Sequence, residues 1–212
     1  MEIILNKKIN KYNKLVSKLL NKNILDLIPK PLILIVVDTE TAYTGEIIQI
    51  AYNIYEYYVK TSYYKCISKY DIIINENINK VDYYKKYTLR HIRKYGKDPK
   101  DVFTLFSNHI KKCNYLIGHN IIFDTGKIIK YFKKYSIEYI MPKQLCTMKL
   151  SRDNVGLLNI KGWAKYPKLS ELYFFYYKKE PDKTKTHTAE YDIYLTFLCF
   201  IGMCKDNLIK FV

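Results

Sequence analysis

The chain has 212 residues, enough to bury a full hydrophobic core in one domain, and two independent domains would be a tight fit. Its 36 Lys and Arg against 20 Asp and Glu give a formal net charge of +16. Such an excess predicts a polyanionic partner, although an A+T-rich coding sequence would also enrich lysine. The five cysteines are scattered without a Cys-x-x-Cys pair, which argues against a disulfide framework and a zinc site.

The first 30 residues form a segment of their own. Apolar residues recur there at helical spacing among lysines, and Pro29 and Pro31 close the stretch. The pattern predicts a basic helical extension over residues 1–30 and a second domain over residues 31–212. The extension either packs on its own domain or docks a partner or nucleic acid. Lysines interrupt its apolar stretches, so it is unlike a signal peptide, and no run reaches the ~18 apolar residues of a membrane span. We therefore expect an intracellular protein of the cytoplasm or nucleus, neither secreted nor in a membrane.

Three strands are predicted next. LILIVVD, residues 32–38, is a continuous apolar run that ends in a carboxylate, typical of a central strand buried on both faces. Residues 46–58 and 63–75 are rich in Ile, Tyr and Val and are predicted to continue the meander. An antiparallel start to a mixed sheet follows.

Helices alternate with strands in the rest of the chain. Asp98-Pro99 is predicted to cap and begin a helix, NYLIG to form a short strand, and residues 121–135 to form an amphipathic helix. A further strand is predicted near residues 137–145, followed by helices over 168–177 and 188–203. The order βββαβαβαα predicts an α/β protein with a central mixed five-stranded sheet flanked by helices, the arrangement of a ribonuclease-H-like fold.

Two carboxylates, Asp38 and Glu40, stand at i and i+2 at the end of the first strand. The two-residue period of a strand points both side chains to one face, where a divalent cation would relieve their repulsion. By itself Asp-x-Glu is a weak signal, because solvated strand ends often carry one.

Three further residues complete the candidate set. Asp124 ends GHNIIFD at a strand-to-helix junction, where the helix dipole alone would also favour a carboxylate. His187 and Asp192 belong to HTAEYD, which opens the last predicted helix. His187 could equally be a cap or surface group, whereas a carboxylate among apolar neighbours, such as Asp192, needs a partner.

The ordered combination of these motifs is specific. An Asp-x-Glu strand, then GHNxxFD, then His-x-x-x-x-Asp opening the last helix resembles the DEDDh, or DnaQ-like, family of 3′-to-5′ exonucleases of the ribonuclease-H-like superfamily. The resemblance runs from about Leu32 to Met203 and includes DTET, IIQIA, CTM and PKLSEL. The tyrosine branch of the superfamily would place Tyr where this chain has Thr188, so the histidine branch is indicated.

The resemblance implies the roles of these residues. Asp38, Glu40 and Asp192 would bind one divalent ion, Asp38 with Asp124 would hold a second, and His187 would be the general base. Two cations, Mg²⁺ with Mn²⁺ as a substitute, would activate water and stabilise the leaving oxygen of a phosphodiester. An imidazole with a pKa of ~6.5 suits removal of the water's proton at neutral pH.

Substrate contacts are predicted less specifically. In the family the backbone after the Asp-x-Glu pair meets the terminal nucleotide, which makes Thr41 and Ala42 candidates, with Asn120 near the substrate strand. The chain departs from the frequent DTETTG at Ala42 and Tyr43, and Tyr43 is a candidate to stack on the terminal base. On the loop beside the histidine, Lys183 and Lys185 either meet phosphates or are simply solvated.

The sequence therefore predicts a metal-dependent 3′-to-5′ exonuclease that releases nucleotides from DNA ends, as in repair or proofreading. An exonuclease for RNA or short oligoribonucleotides is the alternative, because no feature reads a 2′-hydroxyl. A non-cutting, nucleic-acid-binding polymerase accessory module is a second alternative. Proofreading would need a polymerase or replication partner in trans. Homodimers are frequent in the family, but nothing in this chain marks a dimer surface.

Overall fold

A five-stranded mixed sheet forms the centre of the protein, as the computed structural model describes it over residues 30–78 and 87–211. The strands lie in the order β3-β2-β1-β4-β5. Their bounds are β1 Leu32–Thr41, β2 Ile47–Tyr58, β3 Tyr63–Ile73, β4 Tyr115–Gly118 and β5 Lys143–Cys146. β1 to β3 form the expected antiparallel meander, and β4 and β5 extend it in parallel with β1.

Strand β1 is central because it is apolar on both faces. Ile35 and Val37 pack into one core cluster, and Leu34 and Val36 pack into the other. β4 joins β1 with Ile117 opposite Val36. In this register the carboxyl ends of β1, β4 and β5 share one edge of the sheet, the place where open α/β sheets usually carry their chemistry.

Helices cover both faces of the sheet. They are α1 Leu89–Tyr95, α2 Pro99–Ile110, α3 Ile121–Lys134, α4 Thr147–Leu150, α5 Arg152–Val155, α6 Leu169–Tyr177 and α7 Ala189–Lys205. The cluster with Ile35 and Val37 takes its helical residues mainly from α2 and α3, and the opposite cluster takes them mainly from α6 and α7. The predicted cap of α2 is present, because the Asp98 carboxylate accepts hydrogen bonds from the backbone N–H groups of Lys100 and Asp101.

The observed sheet confirms the predicted α/β class and mixed five-stranded sheet with flanking helices. Three short helices, α1, α4 and α5, were not predicted, since each buries at most one residue and so leaves little apolar periodicity to recognise. The last strand is shorter and later than the prediction of residues 137–145. The predicted helical extension over residues 1–30 lies outside the described residues except for Lys30. Within the described ranges, none of the helices combines the length and apolarity that crossing a bilayer requires.

Candidate active site

The carboxylates of Asp38 and Glu40 project from the end of β1 onto one face of the sheet. They alternate in step with Leu34 and Val36, whose side chains pack in the core cluster to which α7 contributes. The pairing of β1 with β2 places Glu40 opposite Gln49, and the register shifts directly after Glu40. The pair therefore stands where the regular ladder ends.

Helix α7 brings Asp192 to the same place. Carboxylate oxygens of Asp38, Glu40 and Asp192 all lie within 4.8 Å of one another; Asp38 and Asp192 are partly exposed, and Glu40 is 9% exposed. Three carboxylates at this separation repel one another unless a cation or proton intervenes. Hard divalent cations take oxygen ligands of this kind, so the donor set fits Mg²⁺ or Mn²⁺.

Asp124 approaches the same strand end from the α3 side. Its carboxylate accepts hydrogen bonds from the backbone N–H of Thr39, at 3.0 Å, and from the Thr39 hydroxyl, at 2.7 Å. Its side chain is only 3% exposed, and burial raises its pKa. The hydrogen bonds from Thr39 oppose the rise, while the negative charge of Glu40 adds to it. The charges of Asp124 and Glu40 therefore interact, but Asp124 is not one of the three carboxylates that lie within 4.8 Å of one another.

His187 lies on the exposed loop that leads into α7. Its φ of +62° is in the left-handed region, which few residues other than glycine adopt. The imidazole stands two positions before the start of α7 and outside the carboxylate group. The loop presents it to solvent rather than to the core.

The predicted contacts at the turn after β1 have different surroundings. Ala42 is buried in a small apolar cluster, its N–H donates to the carbonyl of Glu46, and its carbonyl accepts from Gly45. Its side chain is thus covered, and both of these backbone groups already take part in the turn. Tyr43, in contrast, is 81% exposed at the tip of the turn, and Thr41 is half-buried at the end of β1.

Asn120, Lys183 and Lys185 are all exposed. Asn120 precedes α3 with a φ of +70° and makes no capping hydrogen bond through its side chain. Lys185 forms an ion pair of 3.5 Å with Asp182. It also lines a cavity of about 700 Å³ between β2, β3 and the start of α7, together with Tyr191 and Tyr194. Lys185 therefore lies beside this cavity. Asn120 comes four residues before Asp124 in the sequence.

Gln49 is a residue near the site that the sequence analysis did not select. Although it is fully buried in β2, its side chain accepts from the N–H of Ala189 and donates to the Asp71 carboxylate and the Tyr87 hydroxyl. It ties the first residue of α7 to the strand position opposite Glu40. A lone polar residue in the apolar run IIQIA was the available signal.

His119 is a second such residue. Its Nδ1 lies 3.0 Å from the Thr147 hydroxyl, and its Nε2 lies 3.0 Å from the Pro167 carbonyl. A carbonyl only accepts, so Nε2 carries the proton and donates, and Nδ1 accepts from Thr147. Burial lowers the pKa of His119 to about 4, which agrees with a neutral ring.

Lys127 connects the β1–β2 turn with α3. Its ammonium donates to the carbonyl of Gly45 at 3.0 Å and lies 5.5 Å from the centre of the Phe123 ring. The exposed Phe123 ring is thereby held near the turn that carries Tyr43. Two exposed aromatic rings thus come from the segments that end β1 and begin α3.

Comparison with known proteins places this geometry in context. The sequence matches no family model and no curated protein. Among solved structures, it is similar to the crystal structure of cell-death related nuclease 4 (CRN-4), with a TM-score of 0.59, 16% identity and coverage of 83% of this chain. The fold is ribonuclease-H-like. The chain spans 65% of the length of the CRN-4 chain.

A second match is a chain of the structure of the yeast NOT1 MIF4G domain co-crystallized with CAF1. Its TM-score is 0.58 at 12% identity, with coverage of 97% of this chain and 88% of that one. At these identities the likeness concerns the fold. The site must therefore be argued from its own residues.

Proposed function

We propose that the protein is a metal-dependent nuclease of the DEDDh type that removes nucleotides from the 3′ ends of DNA, as repair or proofreading requires. The observation that carries the proposal is the meeting of Asp38, Glu40 and Asp192 within 4.8 Å at the carboxyl edge of the sheet. The fold adds support, because the similar CRN-4 structure is that of a nuclease. The basic balance of the chain, +16, suits a polyanionic substrate.

In this proposal Asp38, Glu40 and Asp192 hold one divalent ion, and Asp38 with Asp124 holds a second. Divalent cations supply Lewis-acid catalysis, which makes water nucleophilic near neutral pH and stabilises the charge of a leaving oxygen. The chain's own contribution is to fix the ligands. β1 fixes the spacing of Asp38 and Glu40, Gln49 holds the start of α7 near them, and Thr39 orients Asp124.

His187 is proposed to take the proton of the attacking water on a ring nitrogen. Its exposure leaves it free to meet a substrate, and the left-handed backbone directs the loop into α7, five residues before Asp192. Histidine is the side chain that most often takes such a proton in enzymes. Removal of that proton is general-base catalysis.

The preference for an end is proposed to come from the exposed rings of Tyr43 and Phe123. Aromatic rings stack on bases without regard to sequence, which suits an enzyme that removes successive nucleotides. Lys127 keeps the two segments together. Asn120, at the start of α3, is proposed to contact the adjacent sugar or phosphate.

The test is digestion of a 5′-labelled DNA with a 3′ overhang, beside an RNA of the same sequence, with Mg²⁺, with Mn²⁺ and with EDTA. We expect a metal-dependent ladder that shortens from the 3′ end, and stronger cutting of DNA. Asp38→Asn and Asp192→Asn should each lose more than the about 10- to 100-fold that removal of a metal ligand's supporting partner costs.

The matched control is Asp101→Asn, which changes an exposed carboxylate of α2. It should leave the ladder unchanged. Cutting of RNA in preference to DNA would replace the proposed substrate, whereas binding of nucleic acid without any cutting would favour the accessory module instead.

A further inference from the structure

Residues 157–166, which we call the aromatic arm, form an ordered turn between α5 and α6. The N–H of Lys165 donates to the carbonyl of Leu157 at 2.9 Å, and the N–H of Asn159 donates to that of Trp163 at 2.8 Å. The Asn159 side chain accepts from the N–H groups of Lys161 and Trp163. The arm is thus held in one conformation by its own backbone and by Asn159.

This turn presents large apolar side chains to solvent. Ile160 is fully exposed, at 103%, and Trp163 is 72% exposed. Leu158 and Tyr166 are exposed as well. None of the hydrogen bonds that fix the turn uses the side chain of Ile160 or Trp163, so the local fold does not account for either residue. Apolar side chains grouped in this way mark an interaction surface.

Both ends of the segment that carries the arm are fixed at the candidate active-site edge of the sheet. Thr147 follows β5 and Pro167 precedes α6, and the neutral ring of His119 binds both of them. His119 itself directly follows β4, the strand beside β1. Trp163 is four residues from Pro167, so their Cα atoms lie at most ~14 Å apart.

The charge around the arm favours a polyanion. Residues 147–168 contain one acidic residue, Asp153, which is paired with Arg152. The segment has five basic residues, namely Lys149, Arg152, Lys161, Lys165 and Lys168, of which Lys165 pairs with Glu171 just beyond the segment at 2.7 Å. This excess of positive charge would add little to the affinity for a protein partner of ordinary composition. It would add to the affinity for a nucleic-acid backbone through each lysine that lies near a phosphate.

We propose that the aromatic arm binds the single-stranded part of the nucleic-acid substrate that leads to the 3′ end. Trp163 stacks on a base, Ile160 inserts beside it, and Lys161 meets a phosphate. This inference rests on the proposed nuclease function for the identity of the strand. The arm and the carboxylate group are carried by separate elements of the chain, so a strand gains from the arm only when it is long enough to reach both.

The experiment uses Trp163 itself, which is the only tryptophan of the chain. The full-length protein carries Asp38→Asn to prevent cutting, and its tryptophan emission is titrated with an oligothymidylate of about 15 nucleotides and with a dinucleotide. We expect saturable quenching by the long strand and none by the dinucleotide. An unchanged emission during saturation with the long strand overturns the proposal.

Affinity is measured separately, by anisotropy of a labelled oligothymidylate. Trp163→Ala should weaken binding about 5- to 20-fold, and Trp163→Phe, which keeps a ring, should weaken it less. The matched control is Tyr63→Ala, since Tyr63 is an exposed ring at the opposite edge of the sheet, where β1 begins. It should leave affinity unchanged, and an equal loss in both variants overturns the arm's role.

The outcomes separate this inference from the proposed function. Quenching by the long strand without nucleotide release from wild type would contradict the nuclease and support the arm. Normal 3′ trimming with unchanged affinity in Trp163→Ala would overturn the arm alone. A change in emission that follows protein concentration, without nucleic acid, would assign the arm to contact between copies of the chain and overturn the proposal.

Discussion

Two histidines near the candidate site have opposite surroundings. Both ring nitrogens of His119 are engaged by Thr147 and Pro167, and burial keeps the ring neutral. His187 is exposed on a loop in the left-handed region of backbone space. His119 is placed to link β4 to Thr147 and Pro167, and His187 is placed to contact a ligand. We therefore expect substitution of His119 to change stability and substitution of His187 to change activity.

His187→Asn should abolish most of the activity while leaving the fold intact. Asparagine tolerates a positive φ better than other non-glycine residues, so the exchange removes the imidazole without new backbone strain. Loss of a general base predicts a fall in kcat of about 10²- to 10⁴-fold, measured as nucleotide release. The melting temperature should stay at the wild-type value. A fully active His187→Asn enzyme would remove His187 from the mechanism.

His119→Gln should change how stability depends on pH. The unfolded histidine has a pKa of ~6.5, whereas burial lowers the folded pKa to about 4. As pH falls from 6.5 towards 4, the unfolded chain takes up a proton that the folded chain does not, so the free energy of unfolding falls by roughly 3 kcal/mol.

Urea unfolding at pH 7.5 and at pH 5 measures this effect. His119→Gln should be less stable than wild type at pH 7.5 because hydrogen bonds to Thr147 and Pro167 are lost or weakened. The difference between the two proteins should narrow at pH 5. Parallel pH profiles would show that folding does not lower the pKa of His119.

At the scale of elements, the start of α7 depends on one glutamine. Gln49→Leu keeps a large side chain but removes the acceptor of the Ala189 N–H and leaves Asp71 and Tyr87 without their donor. We expect a loss of about 1–3 kcal/mol in stability. Because α7 carries Asp192, the metal concentration for half-maximal activity should also rise. Gln144→Leu, the matched change at the exposed β5 position, loses only a 3.4 Å bond from the Thr125 hydroxyl, which keeps its 2.9 Å bond to the Ile121 carbonyl, and should do neither.

The approach of β4 to β1 depends on a glycine. A Cβ at Gly118 would lie 3.2 Å from the Val37 carbonyl oxygen and 2.7 Å from a side-chain carbon of Ile121. Gly118→Ala should therefore destabilise the protein and disturb the junction that positions Asp124. Gly126→Ala, within α3, meets nothing within 4 Å and should stabilise by about 0.5–1 kcal/mol. Thermal melts of the two variants should move in opposite directions.

Some of these elements were predictable from the sequence, and others were not. Strand β1 and the capped start of α2 were predictable because burial on both faces and the Asp98-Pro99 cap are local patterns. The ties made by Gln49 and His119 were not, since their partners are distant in sequence, 140 positions away for the bond between Gln49 and Ala189. The aromatic arm shows neither the helical nor the strand spacing of apolar residues, and its turn depends on the Asn159 side chain.

The carboxylates of Asp38, Glu40 and Asp192 come from the first and the last of the elements that the structure describes, β1 and α7. A cation bound by Asp38, Glu40 and Asp192 would link these ends and stabilise the folded state, by about 2.7 kcal/mol when its concentration is 100 times the Kd. We expect Mg²⁺ or Mn²⁺ to raise the melting temperature by about 5–10 °C relative to NaCl of equal ionic strength.

Asp192→Asn is the informative variant for this prediction. Without metal it should melt at or above the wild-type temperature, because one of three mutually repelling charges is gone. With metal its melting temperature should hardly rise, whereas Asp101→Asn should respond as wild type does. An equal response of Asp192→Asn and wild type would place the cation elsewhere.

The distance along the chain between β1 and α7 also has a consequence during synthesis on the ribosome. β1 is synthesised before the other described strands and helices, and it is apolar on both faces. One of those faces is covered by residues of α6 and α7, which are made last among the described elements. Contacts of such long sequence separation form slowly. Until α7 has left the exit tunnel, the nascent chain therefore exposes apolar surface and lacks a complete carboxylate group, so under the proposed function it would not yet cut the nucleic acids around it.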